Sequence, residues 1–229
     1  MFEKIKENFL ELLFPRACLG CQREKSWLCQ DCKAIIDISR FHQKFPNPEL
    51  NDLYSATQFQ GPLLKKLIHK FKYEPLVKEL AQPLSSLICD HFQLLDIPPV
   101  FLGGRTNFVL VPIPLEKKRL KWRGFNQAEE IARHLSKFLN MPLLDNVLVK
   151  NRTTLPQVKL RAEERKQNIL GAFACQNKHK IKGRNILLVD DIYTTGSTMK
   201  EAARVLKKSG AQKVIGVVVA RAAPGQDNI

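Results

Sequence analysis

Two carboxylates stand side by side at Asp190 and Asp191, and just beyond them comes a run of hydroxyls around one glycine: Thr194, Thr195, Gly196, Ser197 and Thr198. Paired carboxylates can accept from two neighbouring hydroxyls, as a ribose 2′,3′-diol offers, while Thr and Ser hydroxyls donate to phosphate oxygens. If the loop opens a helix, free backbone N–H groups and the positive end of the dipole add to the phosphate site, and Gly196 lets the backbone approach closely. The implied ligand is a ribose 5-phosphate. A plainer alternative is a helix cap after a strand that merely ends in acids, but a cap needs only one such residue. No G-x-x-x-x-G-K-[ST] is present, so an ATPase P-loop is not supported.

A second constellation is Cys18, Cys21, Cys29 and Cys32, spaced C-x₂-C-x₇-C-x₂-C. Two such knuckles supply four thiolates to a tetrahedral ion, and a unit this small needs a metal or cross-links to fold, so the spacing predicts a structural Zn²⁺. Four protein ligands leave no open position for catalysis. Zinc thiolates without a secretory signal predict a reducing, cytoplasmic setting. Cys89 and Cys175 stand alone in apolar surroundings and are expected to be buried thiols.

The third is charge. Lys and Arg number 37 against 22 Asp and Glu, for a net +15, and residues 105–229 hold 24 of the bases against 10 acids. One small anion does not need that excess, so a polyanion such as nucleic acid is a candidate partner beside a plainly solvated basic surface. Lys117, Lys118, Arg119, Lys121 and Arg123 put five bases into seven residues, with Trp122 and Phe125 interleaved. Such a run can hold a phosphodiester chain while rings stack on unpaired bases; a solvated loop with a packed Trp is the alternative.

These groups need a scaffold. Apolar runs at 186–189, 107–114 and 213–220 read as strands covered on both faces, joined by residues 143–149 and the strand-like 52–60. Helical patterns fall at 62–72, 76–95, 128–138 and 199–209. Strands alternating with helices predict an α/β fold with a parallel sheet whose ligand site lies at the carboxyl ends of the strands. Residues 1–13 carry Phe2, Ile5, Phe9, Leu12 and Leu13 at helical spacing, an amphipathic helix expected to dock on the Cys module. Residues 41–51 read as a linker. Residues 152–173 form a long polar segment that reads as a lid, or as a helix over 161–169, and the tail after Pro224 is expected to fray. No apolar run approaches the roughly 18 residues of a membrane span, so integral membrane insertion is not expected.

Residues 187–198, LLVDDIYTTGST, resemble the type I phosphoribosyltransferases, which bind 5-phosphoribosyl 1-pyrophosphate. Together with the paired C-x₂-C knuckles, VPIPL at 111–115, RGFNQ at 123–127 and the 157–173 segment, the chain is identified as resembling the ComF family. That resemblance implies a type I phosphoribosyltransferase-like parallel sheet flanked by helices. It implies an amino-terminal helix and zinc module over 1–45 and a phosphoribosyltransferase-like domain over 52–229, with a hood at about 52–105 and a core at about 106–222. It implies that Asp190, Asp191, Thr194, Thr195, Gly196, Ser197 and Thr198 bind phosphoribosyl pyrophosphate with Mg²⁺. Arg119 and Arg123, with Lys159, Arg161 and Arg165 of the lid, would face the pyrophosphate. The family is associated with natural transformation, so incoming single-stranded DNA and DNA-uptake proteins are implied partners. The DNA would lie on Lys117, Lys118, Arg119, Lys121, Trp122, Arg123 and Lys166. An active transferase moving ribose 5-phosphate to a base or amine is the alternative. No side chain stands out as a general base, and the catalytic residues are left unassigned.

Overall fold

A computed structural model of the chain describes residues 16–45, 48–73, 76–95, 107–151 and 168–223. The features expected at 1–13, at 152–167 and after Pro224 lie outside the described residues.

The apolar runs do become strands, and the reason is visible in which way their side chains point. Along β6 (Asn185–Tyr193) Leu187 and Val189 face one apolar layer while Ile186 and Leu188 face another, as period-two alternation requires of a strand covered on both sides. β6 pairs in parallel with β3 (Phe108–Pro112) and β7 (Lys213–Arg221), and β7 pairs in parallel with β2 (Asp52–Gln58). β1 (Gln43–Lys44) closes the edge antiparallel to β2, giving the order β1-β2-β7-β6-β3. The segment read as a linker therefore contributes an edge strand, and β2, expected in a hood, is a full member of the main sheet.

Helices cover both faces. α2 (Pro62–Lys72), α3 (Ala81–Leu94) and α5 (Gln127–Leu139) bury Leu67, Phe71, Leu84, Ile88, Ile131 and Leu135 against one face. α6 (Ser197–Lys208) buries Met199, Ala202, Ala203 and Leu206 against the other, beside the short hairpin of β4 (Leu148–Lys150) and β5 (Phe173–Cys175). Before the sheet, α1 (Gln30–Ala34) carries Cys32, and between β3 and α5 lies α4 (Lys117–Arg123). Among the described residues no helix is long and apolar enough to cross a membrane.

Several expectations are corrected. β6 does not end at the acids: Asp190, Ile192 and Tyr193 continue the ladder against Val218, Ala220 and Arg221. The strand expected at 143–149 is only Leu148–Lys150, because Pro142 and Leu144 instead clasp the backbone of Leu110 and residues 145–147 turn away. The helix expected from 76 opens as a 3₁₀ turn at Lys78–Leu80 and becomes α3 at Ala81, with Pro83 tolerated in its first turn. The basic run expected as a loop is α4, closed by Gly124 in the left-handed region, whose N–H donates to the Leu120 carbonyl at 2.8 Å. Cys89 and Cys175 are half-buried; Cys175 ends a strand of only three residues, too short to cover it.

Candidate functional site

At the carboxyl end of β6 the chain turns through Thr194–Thr195–Gly196 into α6. Gly196 has φ +76°, and a Cβ there would stand 2.1 Å from the Tyr193 hydroxyl, so the turn rests directly on that ring. Tyr193 is buried and packs on Phe45, with ring centroids 6.1 Å apart. Thr195 Oγ1 accepts from the Ser197 N–H at 3.4 Å, and the two hydroxyls lie 3.0 Å apart. The first turn of α6 thus gathers hydroxyls at a helix amino terminus, the arrangement that holds a phosphate.

The two acids part company on consecutive positions of the strand. Asp190 Oδ1 accepts the Asp191 N–H at 2.9 Å. Asp191 is buried and meets Lys72 Nζ, from the last turn of α2, at 3.0 Å. Burial, with the Asp191 charge adding to it and Lys72 opposing, raises the Asp190 carboxyl to about 7.

Facing this strand end is a frame built from RGFNQ. Asn126 caps α5, accepting the Ala128 N–H at 3.2 Å, and donates to the Ile113 carbonyl at 3.0 Å, which fixes the start of α5 to the end of β3. Gln127 donates to the Phe71 carbonyl at 3.0 Å and accepts from Arg123 at 2.8 Å, linking α4 to the end of α2. The Arg123 guanidinium lies 5.6 Å from the Tyr73 ring centroid and 6.0 Å from that of Trp122, and its Nε is buried without a hydrogen-bond partner. Burial lowers the Arg123 pKa, with the Asp191 charge opposing. Lys150 reaches in from β4, its ammonium 5.9 Å from the Phe173 ring; burial, then the Arg119 charge, lowers its pKa.

These elements enclose one pocket of about 190 Å³. Asp190, Asp191, Thr194, Thr195, Gly196, Ser197 and Thr198 line it, and Arg119 and Arg123 line it too. Lys117, Lys118, Lys121 and Trp122 do not: they are exposed on α4, with Trp122 53% accessible and its ring beside the Arg123 guanidinium. Phe125, expected as a stacking ring, is instead buried against Phe71 at 5.6 Å between centroids. Lys159, Arg161, Arg165 and Lys166 lie outside the described residues. Sequence reading missed Lys72, Tyr73 and Lys150, all of which line the pocket. A signal for Lys72 existed: it continues the four-residue spacing of Leu64 and Ile68, a base placed on the buried stripe of α2.

The four amino-terminal cysteines converge as well. Their sulfurs lie within 4.8 Å of one another, with Cys21 and Cys29 3.6 Å apart, and all six cysteines of the chain are free thiols. A tetrahedral ion with bonds of about 2.3 Å would hold its sulfurs about 3.8 Å apart, so the set fits a single metal ion. The Cys29 and Cys32 N–H groups point at the Cys18 and Cys29 sulfurs, each at 3.4 Å. Gly20 is required in the knuckle, since a Cβ there would stand 2.6 Å from Cys32 Sγ. The module is seated on the helical layer by Leu19, which is buried, by Lys66 donating to its carbonyl at 3.0 Å, and by the Lys33–Asp90 ion pair at 2.7 Å.

A family model described as "Phosphoribosyl transferase domain" matches residues 120–229. The chain is similar to competence protein F of Haemophilus influenzae, at 37% identity over 210 residues and 86% of each chain. It is similar to DNA utilization protein YhgH of Escherichia coli, at 34% over 207 residues, covering 86% of this chain and 85% of that one. A shorter match, 38% over 105 residues, joins it to competence protein ComFC of Bacillus subtilis and covers 45% of this chain and 40% of that protein.

Proposed function

The chain belongs to the ComF family, and from that premise we propose that it acts in DNA uptake and natural transformation by binding single-stranded DNA and phosphoribosyl pyrophosphate. The observation that carries the reading is the two-sided α4. Arg119 and Arg123 turn into the pocket with the paired acids and the 194–198 loop, while Lys117, Lys118, Lys121 and Trp122 face out. Asp190 and Asp191 would take the ribose hydroxyls, the loop the 5-phosphate, and Arg119, Arg123 and Lys150 the pyrophosphate, with Mg²⁺ accompanying the ligand. Lys159, Arg161 and Arg165 are assigned to the pyrophosphate as well, and Lys166 to the nucleic acid. Exposed lysines beside an exposed indole suit a single strand, whose bases can stack. Cys18, Cys21, Cys29 and Cys32 hold a structural Zn²⁺, the ion that an all-thiolate tetrahedral set favours. We divide the chain at 1–45 and 52–229, with β1 at 43–44 lending an edge strand to the sheet of the second unit, and place it in the cytoplasm, with DNA-uptake proteins as partners.

The test is a thermal-shift series with phosphoribosyl pyrophosphate and Mg²⁺, an oligonucleotide, and both, because a ligand that binds only the folded state raises apparent stability by mass action. Each ligand should raise Tm, and Asp190→Ala with Asp191→Ala should abolish only the sugar-phosphate shift. Loss of neither shift in that variant would place the ligand elsewhere.

A second reading, pentosyl transfer to a base or amine, is favoured by the charge layout of the pocket: acids at the β6 end, bases from α4 and β4 across from them. Transfer would proceed by electrostatic stabilisation and water exclusion around the reacting sugar carbon. Pyrophosphate released from phosphoribosyl pyrophosphate only when a nucleobase or amine is added would favour it.

A further inference from the structure

The opposite end of the sheet carries a surface that neither the pocket nor α4 uses. Lys178, Lys180, Lys182 and Arg184 lie between β5 and β6, in a stretch from 176 to 185 with no acid. Lys207, Lys208 and Lys213 lie where α6 turns into β7, in a stretch from 207 to 213 that also has none. The fold clamps the two together. The Gly183 N–H donates to the Gly210 carbonyl at 2.8 Å, and the Gln212 N–H donates to the Arg184 carbonyl at 2.8 Å. Asn185 and Lys213 are partners in the ladder, and Ile181, fully buried, pins the turn between the lysines.

Lys178, Lys182, Lys208 and Lys213 are exposed. Among the described residues no carboxylate lies within ion-pairing distance of any of the seven bases. Two acids feel these bases from outside the patch: Glu201, which feels Lys208, holds Arg204 at 2.6 Å, and Asp52, which feels Lys213, sits 3.5 Å from His42. Lys207 and Lys208 have a local explanation, since bases complement the carboxyl end of a helix and Lys207 also donates to the Gln212 carbonyl at 2.7 Å. The other five have none. Like charges held together by fixed backbone repel, and a bound polyanion relieves that repulsion.

We propose that this amino-terminal edge of the sheet is a second nucleic-acid site, one that holds the phosphodiester backbone chiefly by charge. Among the described residues none of the exposed large apolar side chains lies on it, so it offers no wedge to enter a membrane, and its exposed ring is the small imidazole of His179 between Lys178 and Lys180. One imidazole stacks less than an indole, so this edge discriminates single strands from duplex less than the face of α4 that carries Trp122. Asp190 lies five residues along β6 from Asn185, about 17 Å at strand rise, so a strand leaving one surface can reach the other. Two linked contacts strengthen overall binding well beyond either alone.

The test is lysine acetylation footprinting of the full chain at low salt, with oligothymidylate, with duplex DNA and with anionic phospholipid vesicles. Lys178, Lys182, Lys208 and Lys213 should be protected several-fold by both DNA forms. The variant Lys178→Gln, Lys180→Gln, Lys182→Gln should reduce the slope of log affinity against log salt for a long single strand by about 2, at about 0.7 for each phosphate no longer neutralised. Its response to phosphoribosyl pyrophosphate should be unchanged. No protection by either DNA form, with a parental salt slope in the variant, would overturn the site, as would protection by vesicles alone. Protection here with none at Lys117, Lys118 and Lys121 would support this site while removing the role assigned to α4.

Discussion

Lys72 Nζ stands 3.0 Å from Asp191 Oδ1, so the last turn of a helix on one side of the sheet neutralises one acid of the pair at the end of β6. Both partners are mostly buried, and the Lys72 charge also lowers the pKa of Asp190. Removing it leaves the repulsion between the two adjacent carboxylates less relieved, with Arg123 and Lys150 still feeling Asp191 and Asp190, and like charges at that range cannot both ionise easily. Lys72→Met should therefore raise the pH at which sugar-phosphate binding develops, because an ionised Asp190 is the better acceptor of ribose hydroxyls. The check is the Mg²⁺–phosphoribosyl pyrophosphate thermal shift measured from pH 5 to 9. A midpoint that stays put in the variant would mean that Lys72 acts on packing only.

Asp190 also makes a statement about the ligand-free protein. Its carboxyl is raised from 3.8 to about 7, chiefly by burial, so between about pH 4 and 7 the folded state keeps a proton that the unfolded chain has released. Stability from this group is present below that window and is lost as pH rises through about 7, the reverse of a salt-bridged carboxylate. Asp190→Asn should then be more stable than the parent at pH 8 and closer to it at pH 5. Urea unfolding at the two pH values reads the difference directly, and equal gaps would contradict the assignment.

Gly196→Ala should damage the 194–198 loop proposed to hold the phosphate. The residue sits at φ +76°, where a side chain costs about 1–2 kcal/mol, and its Cβ would overlap the Tyr193 hydroxyl at 2.1 Å. We expect a lowered Tm and loss of the phosphoribosyl pyrophosphate shift, with oligonucleotide binding retained. A parental sugar-phosphate shift would show that the loop does not carry the phosphate.

Much of this site is legible in the sequence because its main parts are local. The acids and hydroxyl loop fall within nine residues, and the cysteines within fifteen. The strands of the main sheet read clearly because both their faces are buried, leaving nearly unbroken apolar runs. The helix at 62–72 is plain from Pro62 at its start and the apolar stripe through Leu64, Ile68 and Phe71. What cannot be read depends on distant partners. Lys72 meets Asp191 across 119 residues. Lys150 reaches the pocket only because β4 pairs with β5, more than twenty residues further along the chain, and no local motif announces that pairing. α4 is hidden because five like charges in seven residues disfavour an isolated helix. Phe125 is ambiguous because a ring in a basic run looks alike whether it packs on Phe71 or faces solvent.

Metal removal should uncouple the amino-terminal module. Thiolate ligands make binding part of folding, so a chelator, or Cys18→Ser with Cys21→Ser, should unfold the knuckles and release Leu19 from the helical layer. Freshly purified, reduced protein should carry one Zn²⁺ per chain by elemental analysis, and the variant none. Trp27, partly buried against the same layer, supplies a fluorescence reading of undocking. Protein without zinc that keeps the parental spectrum would refute the metal's structural role.

The exposed face of α4 separates charge from stacking, and the two respond differently to salt. Lys117→Gln, Lys118→Gln, Lys121→Gln removes three cations from the solvent side while leaving Arg119 and Arg123 in the pocket. Single-strand affinity should fall evenly across sequences, and the salt slope should shrink by about 0.7 for each phosphate no longer neutralised, because fewer counterions are released. Trp122→Ala should cost about 1–3 kcal/mol of single-strand binding with the slope nearly unchanged, since stacking releases no counterions. Duplex binding should be less affected by the loss of the indole, its bases being already stacked on one another. Fluorescence anisotropy over a salt series reads both quantities at once. If the triple variant binds single strands like the parent at every salt concentration, α4 is a solvated helix and the pentosyl-transfer reading of the pocket gains.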